Sequence, residues 1–156
     1  MARAEPDLCP MSSTPLSDVI DVVRERGNEE NYNRFLEAFL RARLGIIAHG
    51  LPPGISGIVR SGPDTSCASV EHPARRGAFV LACADMAMFN TRFARKFNAE
   101  LDAHSLMNIV VANPSSAGIL INSAKSEHSI VIERTTIERL LEPSPTNARN
   151  PWWKFW

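Results

Sequence analysis

The side chains that could carry chemistry in this sequence include four histidines that stand far apart along the chain. None of them lies four residues from another, the spacing that places two metal ligands on one face of a helix, and no Cys-x-x-Cys pair accompanies them. We therefore expect surface or hydrogen-bonded histidines, and neither a metal site nor a cofactor. The histidines are His49, His72, His104 and His128.

The cysteines are the next candidates, because a thiolate is a strong nucleophile. Cys9, Cys67 and Cys83 are odd in number and widely separated, which predicts reduced thiols rather than a disulfide framework. Cys83 lies in an apolar run and is predicted to be a small core residue, whereas Cys67 is the candidate for exposure. The sequence also has no G-x-S-x-G elbow and no P-loop.

Charged residues offer two further candidate sites, each with a structural explanation. Asp85 and Asp102 could pair for acid–base catalysis, yet both stand where a helix cap is expected. The basic cluster at 92–96 could bind phosphate, but it lies in the last turns of a predicted helix, where cations are favoured. Arg75 and Arg76, just before a strand, are equally ambiguous. We therefore predict no catalytic residues and expect that the protein is not an enzyme.

An aromatic tail, PWWKFW at 151–156, contains every tryptophan of the chain. Its side chains could anchor a partner protein, dock on their own domain, or lie at a membrane interface with Lys154. The Pro-, Ser- and Asn-rich stretch 143–151 separates the tail from the preceding helix like a tether, which favours the partner. The predicted partner-binding residues are Trp152, Trp153, Phe155 and Trp156.

Apolar periodicity predicts the elements that must position these side chains. Helices are predicted from Thr14-Pro15 to a left-handed cap at Gly27, from Asn28 to Arg41, from Asp85 to Phe97, from Asp102 to before Pro114, and from Thr135 or Thr136 to Glu142. Strands are predicted at 44–50, 55–60, 77–84, 118–122 and 128–133, with an exposed loop at 61–76. The order predicts an α+β fold, with a mixed or antiparallel sheet of about four to five strands covered by helices and flexible termini. The predicted core contains Phe35, Phe39, Ile46, Val80, Leu120, Val131 and Leu140.

Three stretches resemble the SseB amino-terminal domain family over roughly residues 28–142. They are YNRFLEAFLRARLGIIAHG, FVLACADMAMF and GILINSAKSEHSIVIERTTIERLL. The chain departs from the family in the turn after Asn122, where relatives often carry Asn-Pro-Gly-like residues and this chain has Asn-Ser-Ala. The resemblance implies an α+β fold, bacterial origin, no enzymatic activity and a link to type III secretion. The expected organisation is a disordered segment at 1–13, a single SseB-like α+β domain at 14–142, and a flexible tail with the aromatic cluster at 143–156.

The charge balance argues against a nucleic-acid-binding protein, and the apolar content argues against a membrane protein. Seventeen basic and seventeen acidic residues predict no nucleic-acid binding. No stretch approaches the ~20 apolar residues that span a bilayer, and residues 1–15 contain no apolar signal run, so we expect a cytoplasmic protein with no membrane contact. The alternative is export by a bacterial machine that reads an amino-terminal segment with no apolar run.

Two hypotheses follow from these observations. The first is a non-catalytic bacterial SseB-like protein-interaction module. A specific version of this hypothesis makes the module an accessory protein of a secretion system. The alternative is a small enzyme or ligand-binding domain whose site is built from loop 61–76 and the strand ends. A deep cleft with converging polar groups would favour the alternative, and flat apolar patches would favour the module.

Overall fold

The computed structural model describes residues 15–50, 66–93 and 97–142. These residues contain five helices and eight strands. The helices are α1 Leu16–Glu25, α2 Glu29–Arg41, α3 Met86–Arg92, α4 Ala103–Ala112 and α5 Arg134–Leu141. The strands are β1 Arg43–Ile46, β2 Ala48–His49, β3 Ser66–Cys67, β4 Ser69–Glu71, β5 Ala78–Ala84, β6 Ala99–Asp102, β7 Ser116–Asn122 and β8 Ser129–Glu133.

The main sheet has six strands in the order β6-β1-β5-β7-β8, with β4 also paired to β5. β5 and β7 run parallel, and the other pairs of this sheet are antiparallel. The predicted α+β fold with a mixed sheet is therefore confirmed, as is the β7–β8 hairpin. β2 and β3 form a separate two-stranded sheet.

Three strand predictions need correction. The stretch 44–50 is divided between β1 and β2, because the carbonyl of Ile47 turns to accept the Ala68 N–H at 2.8 Å. Residues 66–71, predicted to be loop, form β3 and β4. β6 was not predicted, and it forms because its Ala99 and Leu101 lie opposite Ile46 and Leu44 of β1. The strand predicted at 55–60 lies outside the described residues.

Two of the helix caps that the sequence predicts are confirmed. The Asn28 side chain accepts the Asn31 N–H at 2.8 Å, and the Asp102 side chain accepts the Ser105 N–H at 2.7 Å, both as predicted. Asp85 precedes α3 but makes no capping hydrogen bond.

Three other predicted helix ends are wrong. The helix predicted from Asp85 to Phe97 ends at Arg92, with Phe93 as its carboxyl-terminal cap. Glu133 occupies the cap position of the final helix, two to three residues before the predicted cap at Thr135 or Thr136, and the helix begins at Arg134. Gly27 does not adopt the positive φ of a left-handed cap. The glycines with positive φ in the described residues are Gly50, Gly77 and Gly118. The start predicted at Thr14 lies outside the described residues.

Four helices cover one face of the main sheet and bury the core against it. The core joins α1, α2, α4 and α5 to alternate residues of β5, β7 and β8, with Phe35, Phe39, Ile46 and Val80 buried as predicted. Leu120, Val131 and Leu140 are half-buried instead. Leu120 and Val131 alternate with core residues along their strands, so their side chains point to the opposite face of the sheet.

Among the described residues, α1, α2, α4 and α5 do not pack on that opposite face, which we therefore name the open face. It carries an apolar row formed by the half-buried residues Leu81, Leu120 and Val131. The three residues lie side by side, since Leu81 is in register with Leu120 and Leu120 with Val131. α3 packs at one end of the open face against β1. A Cβ atom at Gly45 would lie 2.7 Å from Cys83 Sγ and 2.9 Å from Met86 Cβ, so only glycine allows this close approach.

Candidate functional site

A cleft lined by three arginines, the arginine cleft, opens at the other end of the open face. Its volume is about 640 Å³. It lies where β5 and β7 begin and where β8 passes into α5, so four separate parts of the chain meet there. The lining residues are Ala74, Arg75, Arg76, Phe79, Ala117, Glu133, Arg134 and Thr135.

A tight turn at residues 72–76 presents the first two arginines to the cleft. His72 organises this turn, because its Nδ1 accepts the Ala74 N–H at 3.1 Å and its carbonyl accepts the Arg75 N–H at 3.2 Å. The His72 ring also packs edge-on against Phe79, with 6.2 Å between the ring centroids. His72 is therefore a hydrogen-bonded structural histidine, as predicted for the histidines generally.

Gly77 allows the turn to lie against β7. Its φ is +98°, and a Cβ atom there would lie 2.7 Å from the Cβ of Ala117. A larger residue would be strained in this conformation and would collide with β7. The cleft therefore depends on glycine between Arg76 and β5.

The arginines of the cleft have different roles. Arg75 forms an ion pair with Glu133, and the two side chains are 44% and 53% exposed. An ion pair as exposed as this contributes little stability, so it can be exchanged at small cost. Arg76 is exposed and forms no ion pair with any residue in the described part of the chain.

Arg134 is held by main-chain carbonyls. Its Nη1 lies 3.1, 2.8 and 3.0 Å from the carbonyl oxygens of Val110, Asn113 and Ser116, and its Nη2 lies 3.0 Å from that of Val111. The Nε also pairs with Glu138 at 2.8 Å. Arg134 therefore closes the carboxyl end of α4, and its donors are largely engaged within the fold.

The arginine cleft can bind and orient an anionic group. Guanidinium groups remain protonated at neutral pH and match carboxylate or phosphate oxygens in geometry, but they do not transfer protons. Phe79, Ala74 and Ala117 are the apolar residues that line the cleft. The arginines of this cleft therefore provide recognition of an anion and not proton transfer.

A second polar cluster contains a serine, a histidine and an aspartate but has the wrong connectivity for catalysis. Ser126 Oγ donates to Asp21 Oδ1, and His128 Nδ1 lies 3.0 Å from the same oxygen. In a catalytic triad the histidine stands between the serine and the carboxylate. Here the serine hydroxyl is bonded to the carboxylate directly, so the histidine does not activate it.

This cluster fastens α1 to the turn between β7 and β8. Burial raises the pKa of Asp21, but hydrogen bonds with Ser126, His128 and Ser123 outweigh burial, and the pKa falls below its usual value. Lys125 pairs with Asp18 of the same helix. The cluster is a structural clasp.

Asp85 and Asp102, which the sequence offered as a possible acidic pair but which were predicted to be helix caps, make separate contacts in the structure. Asp85 has a left-handed backbone, with φ 52°, and accepts a hydrogen bond from Ser17 Oγ at 3.0 Å. Ser17 Oγ in turn accepts the Ala124 N–H at 2.9 Å, so this chain of bonds also holds α1. The hydrogen bonds from Ser105, first from its N–H and then from its hydroxyl, lower the pKa of Asp102. The two carboxylates thus serve separate structural contacts, and for Asp85 the predicted capping role was wrong.

The two cysteine thiols in the described part of the chain, Cys67 and Cys83, are protonated at neutral pH, and Cys9 lies outside that part. Burial raises the pKa of Cys83 to about 12, and burial also raises the pKa of half-buried Cys67. Cys83 is buried as predicted, on the open-face side of β5. Neither thiol therefore has the thiolate character of a nucleophile.

The structure describes only some of the residues of the remaining predicted sites. Among the described residues, no group of three or more His, Cys, Asp and Glu side chains is arranged to hold a metal ion. Arg92 stacks over the Phe93 ring at 5.7 Å, while the rest of the predicted basic cluster, Arg95 and Lys96, lies outside the described residues. The aromatic tail, Trp152, Trp153, Phe155 and Trp156, lies outside them too, and its partner-binding role stays a prediction.

Sequence reasoning noted Arg75 and Arg76 but missed Glu133 and Arg134. The sequence did indicate the region of the cleft, because the alternative hypothesis located a site at loop 61–76 and the strand ends. The cleft is lined by residues 74–76 and by the ends of β5, β7 and β8. Glu133 and Arg134 gave no local signal, because a Glu-Arg pair at the end of a strand is common surface composition.

Comparison of the chain with protein-family models, with curated proteins and with solved structures finds no match. The SseB resemblance therefore stays a prediction. None of the helices in the described ranges is both long enough and apolar enough to cross a membrane.

Proposed function

We propose that this protein is a non-catalytic protein-interaction module. The observation that carries the proposal is the continuity of the apolar row with the arginine cleft on the open face. Leu81 lies two residues from Phe79 on β5, and Val131 lies two residues from Glu133 on β8, so the row and the cleft are neighbours. Protein interfaces typically combine an apolar centre with a polar rim, and arginine is enriched in them.

Val70 extends this surface across β4. It lies opposite Phe79 in the β4–β5 register, so its side chain shares the open face, and it is 37% exposed. The side chain of Val70 is accessible to a partner without any change of fold. It is therefore a suitable position for testing the surface.

The aromatic tail is the second binding element of the proposal. Tryptophan is enriched among residues that dominate interface energies, and the stretch at 143–151 has the composition of a tether. On the SseB resemblance, we extend the proposal to a cytoplasmic bacterial protein whose partner is a component of a secretion system.

The test is capture of partners from an extract of the host organism, with the full chain as bait. Val70→Lys is expected to lose the partner that the unaltered protein retains, because the lysine places a charge on the apolar surface. Val22→Lys is the matched control, since Val22 on α1 is a valine of similar exposure, 44% against 37% for Val70. Equal capture by both variants would contradict a binding role for the open face.

The second candidate is a ligand-binding domain. The location of the arginine cleft favours it, since residues 74–76 and the strand ends line the cleft. An oxyanion such as inorganic phosphate would then raise the melting temperature of the protein, and the rise would grow with the logarithm of the phosphate concentration above the dissociation constant. A chloride solution of the same ionic strength would give the reference value.

A further inference from the structure

The arginine cleft holds a positive charge that its carboxylates do not neutralise. Glu133 pairs with Arg75 and Glu138 pairs with Arg134, which leaves Arg76 without a partner among the described residues.

The Arg75–Glu133 ion pair can be exchanged for a contact with a ligand. Both side chains are roughly half-exposed, and exposed ion pairs contribute only about 0–1 kcal/mol. An incoming carboxylate can therefore take the place of Glu133 on Arg75 while Arg76 supplies a second guanidinium group. Two such groups on one carboxylate bind it more strongly than a single exposed pair does.

The dimensions of the surface favour an extended polypeptide. Phe79 and Glu133 of the arginine cleft are each two residues along the strand from a member of the apolar row. On β5 that member is Leu81, and on β8 it is Val131. Two residues of a strand span roughly 6.6 Å, which is also the spacing of side chains i and i+2 in an extended peptide. A peptide lying across the cleft and the apolar row would place an acidic side chain in the cleft and the side chain two positions away on the apolar row.

We propose that the arginine cleft binds an acidic side chain of a partner polypeptide and that the apolar row binds the apolar side chain two residues from it. This rests on the proposed function in one respect, that the ligand is a polypeptide. It adds the chemistry of the ligand and the spacing of its two recognised side chains.

The experiment measures fluorescence anisotropy of a labelled peptide, Ser-Glu-Ser-Leu-Ser, titrated with the full chain. Replacing its glutamate by glutamine, or its leucine by serine, is expected to weaken binding, since each change removes one of the two contacts. Arg76→Gln should weaken binding of the parent peptide by about fivefold. Glu133→Gln should tighten binding by about threefold, because it removes the carboxylate that competes for Arg75.

Arg41→Gln is the matched control for charge. Arg41 is an exposed arginine at the end of α2, on the helical side of the sheet, so its removal changes net charge but not the cleft. Thermal unfolding of each variant verifies that the fold is retained. Equal weakening by Arg41→Gln and Arg76→Gln, or equal binding of the glutamate and glutamine peptides, would overturn the proposal.

Inorganic phosphate distinguishes a peptide site from a site for small anions. Millimolar phosphate is expected to displace the peptide no better than chloride of the same ionic strength. Complete displacement by phosphate alone would overturn the peptide as ligand. These measurements require no native partner, so failure here and failure of partner capture are separate results.

Discussion

Arg134 organises the corner of the molecule where the arginine cleft lies. The last carbonyls of a helix have no partner within the helix, and this guanidinium group binds four carbonyls at and just beyond the end of α4. A cation at this end also complements the helix dipole. The side chain therefore joins the beginning of α5 to the end of α4, beside the start of β7.

Replacing Arg134 with alanine should destabilise the protein by about 1–3 kcal/mol, because several carbonyls lose a charged donor at once. Arg134→Lys should recover only part of this loss, since an ammonium group lacks the planar set of donors. Urea denaturation measures both values. Arg139→Ala, an exposed arginine of the same helix, is the control and should change stability little; an equal effect of the two alanine variants would refute the capping role.

The Asp21 clasp predicts a stability loss in acid. The pKa of Asp21 is lower in the folded protein than its unfolded value of 3.8, so the folded state favours the ionised form. The stabilisation is complete above the unfolded pKa and is lost as pH falls through the folded pKa. Asp21→Asn should lower stability at neutral pH by about 1 kcal/mol and should reduce the further loss in acid. Urea titrations from neutral pH to below pH ~4 measure both effects, and an unchanged acid dependence in the variant would contradict the assignment.

At the scale of elements, the contact between β1 and α3 depends on Gly45. Gly45→Ala should destabilise by about 1–3 kcal/mol, because the added methyl group overlaps Cys83 and Met86. Gly27→Ala is the contrasting change, since a Cβ there lies at 3.4 Å from the Val23 carbonyl and needs no positive φ. It should be neutral or stabilise by up to about 1 kcal/mol. Comparable destabilisation of both variants in chemical denaturation would argue against the close packing.

The packing of α2 against the sheet predicts the cost of removing Phe39. This ring is fully buried and stacks at 6.3 Å from Phe35. Phe39→Ala should cost about 3–5 kcal/mol, the usual range for a buried phenylalanine. A loss below about 1 kcal/mol in chemical denaturation would show that the ring is peripheral. Leu40→Ala, next to it but exposed, should have a much smaller effect.

Elements with a strong local pattern were predictable, whereas those that depend on distant partners were not. α2, β5 and β8 have continuous or periodic apolar residues, and the sequence located all three. β6 has only four residues, and the strand is supported by β1, more than fifty residues earlier in the chain. The cleft depends on the parallel pairing of β5 with β7, a long-range property that no local pattern of arginines reveals.

At the scale of the whole molecule, the aromatic tail is expected to act separately from the fold. α5 ends at Leu141, and its Ile137 is already buried in the core. Deleting residues 143–156 should therefore leave the melting temperature nearly unchanged while abolishing partner binding. Since all three tryptophans lie in the tail, tryptophan fluorescence reports on it alone. We expect red emission that shifts to blue when the partner is added. Blue emission from the isolated protein at low concentration would mean that the tail docks on its own domain.

The hydroxyl of Tyr32 has a consequence for self-association. It lies 3.4 Å from the Val131 carbonyl on the outer edge of β8, and the Asp21 clasp holds α1 beside the start of the same strand. An uncovered edge strand invites pairing with a strand of another molecule, which can lead to aggregation. At the opposite edge, β6 is short and carries the exposed carboxylates of Glu100 and Asp102. Strand pairing with another molecule is therefore disfavoured at both edge strands, β8 and β6. Association through the open face is favoured over association through either edge.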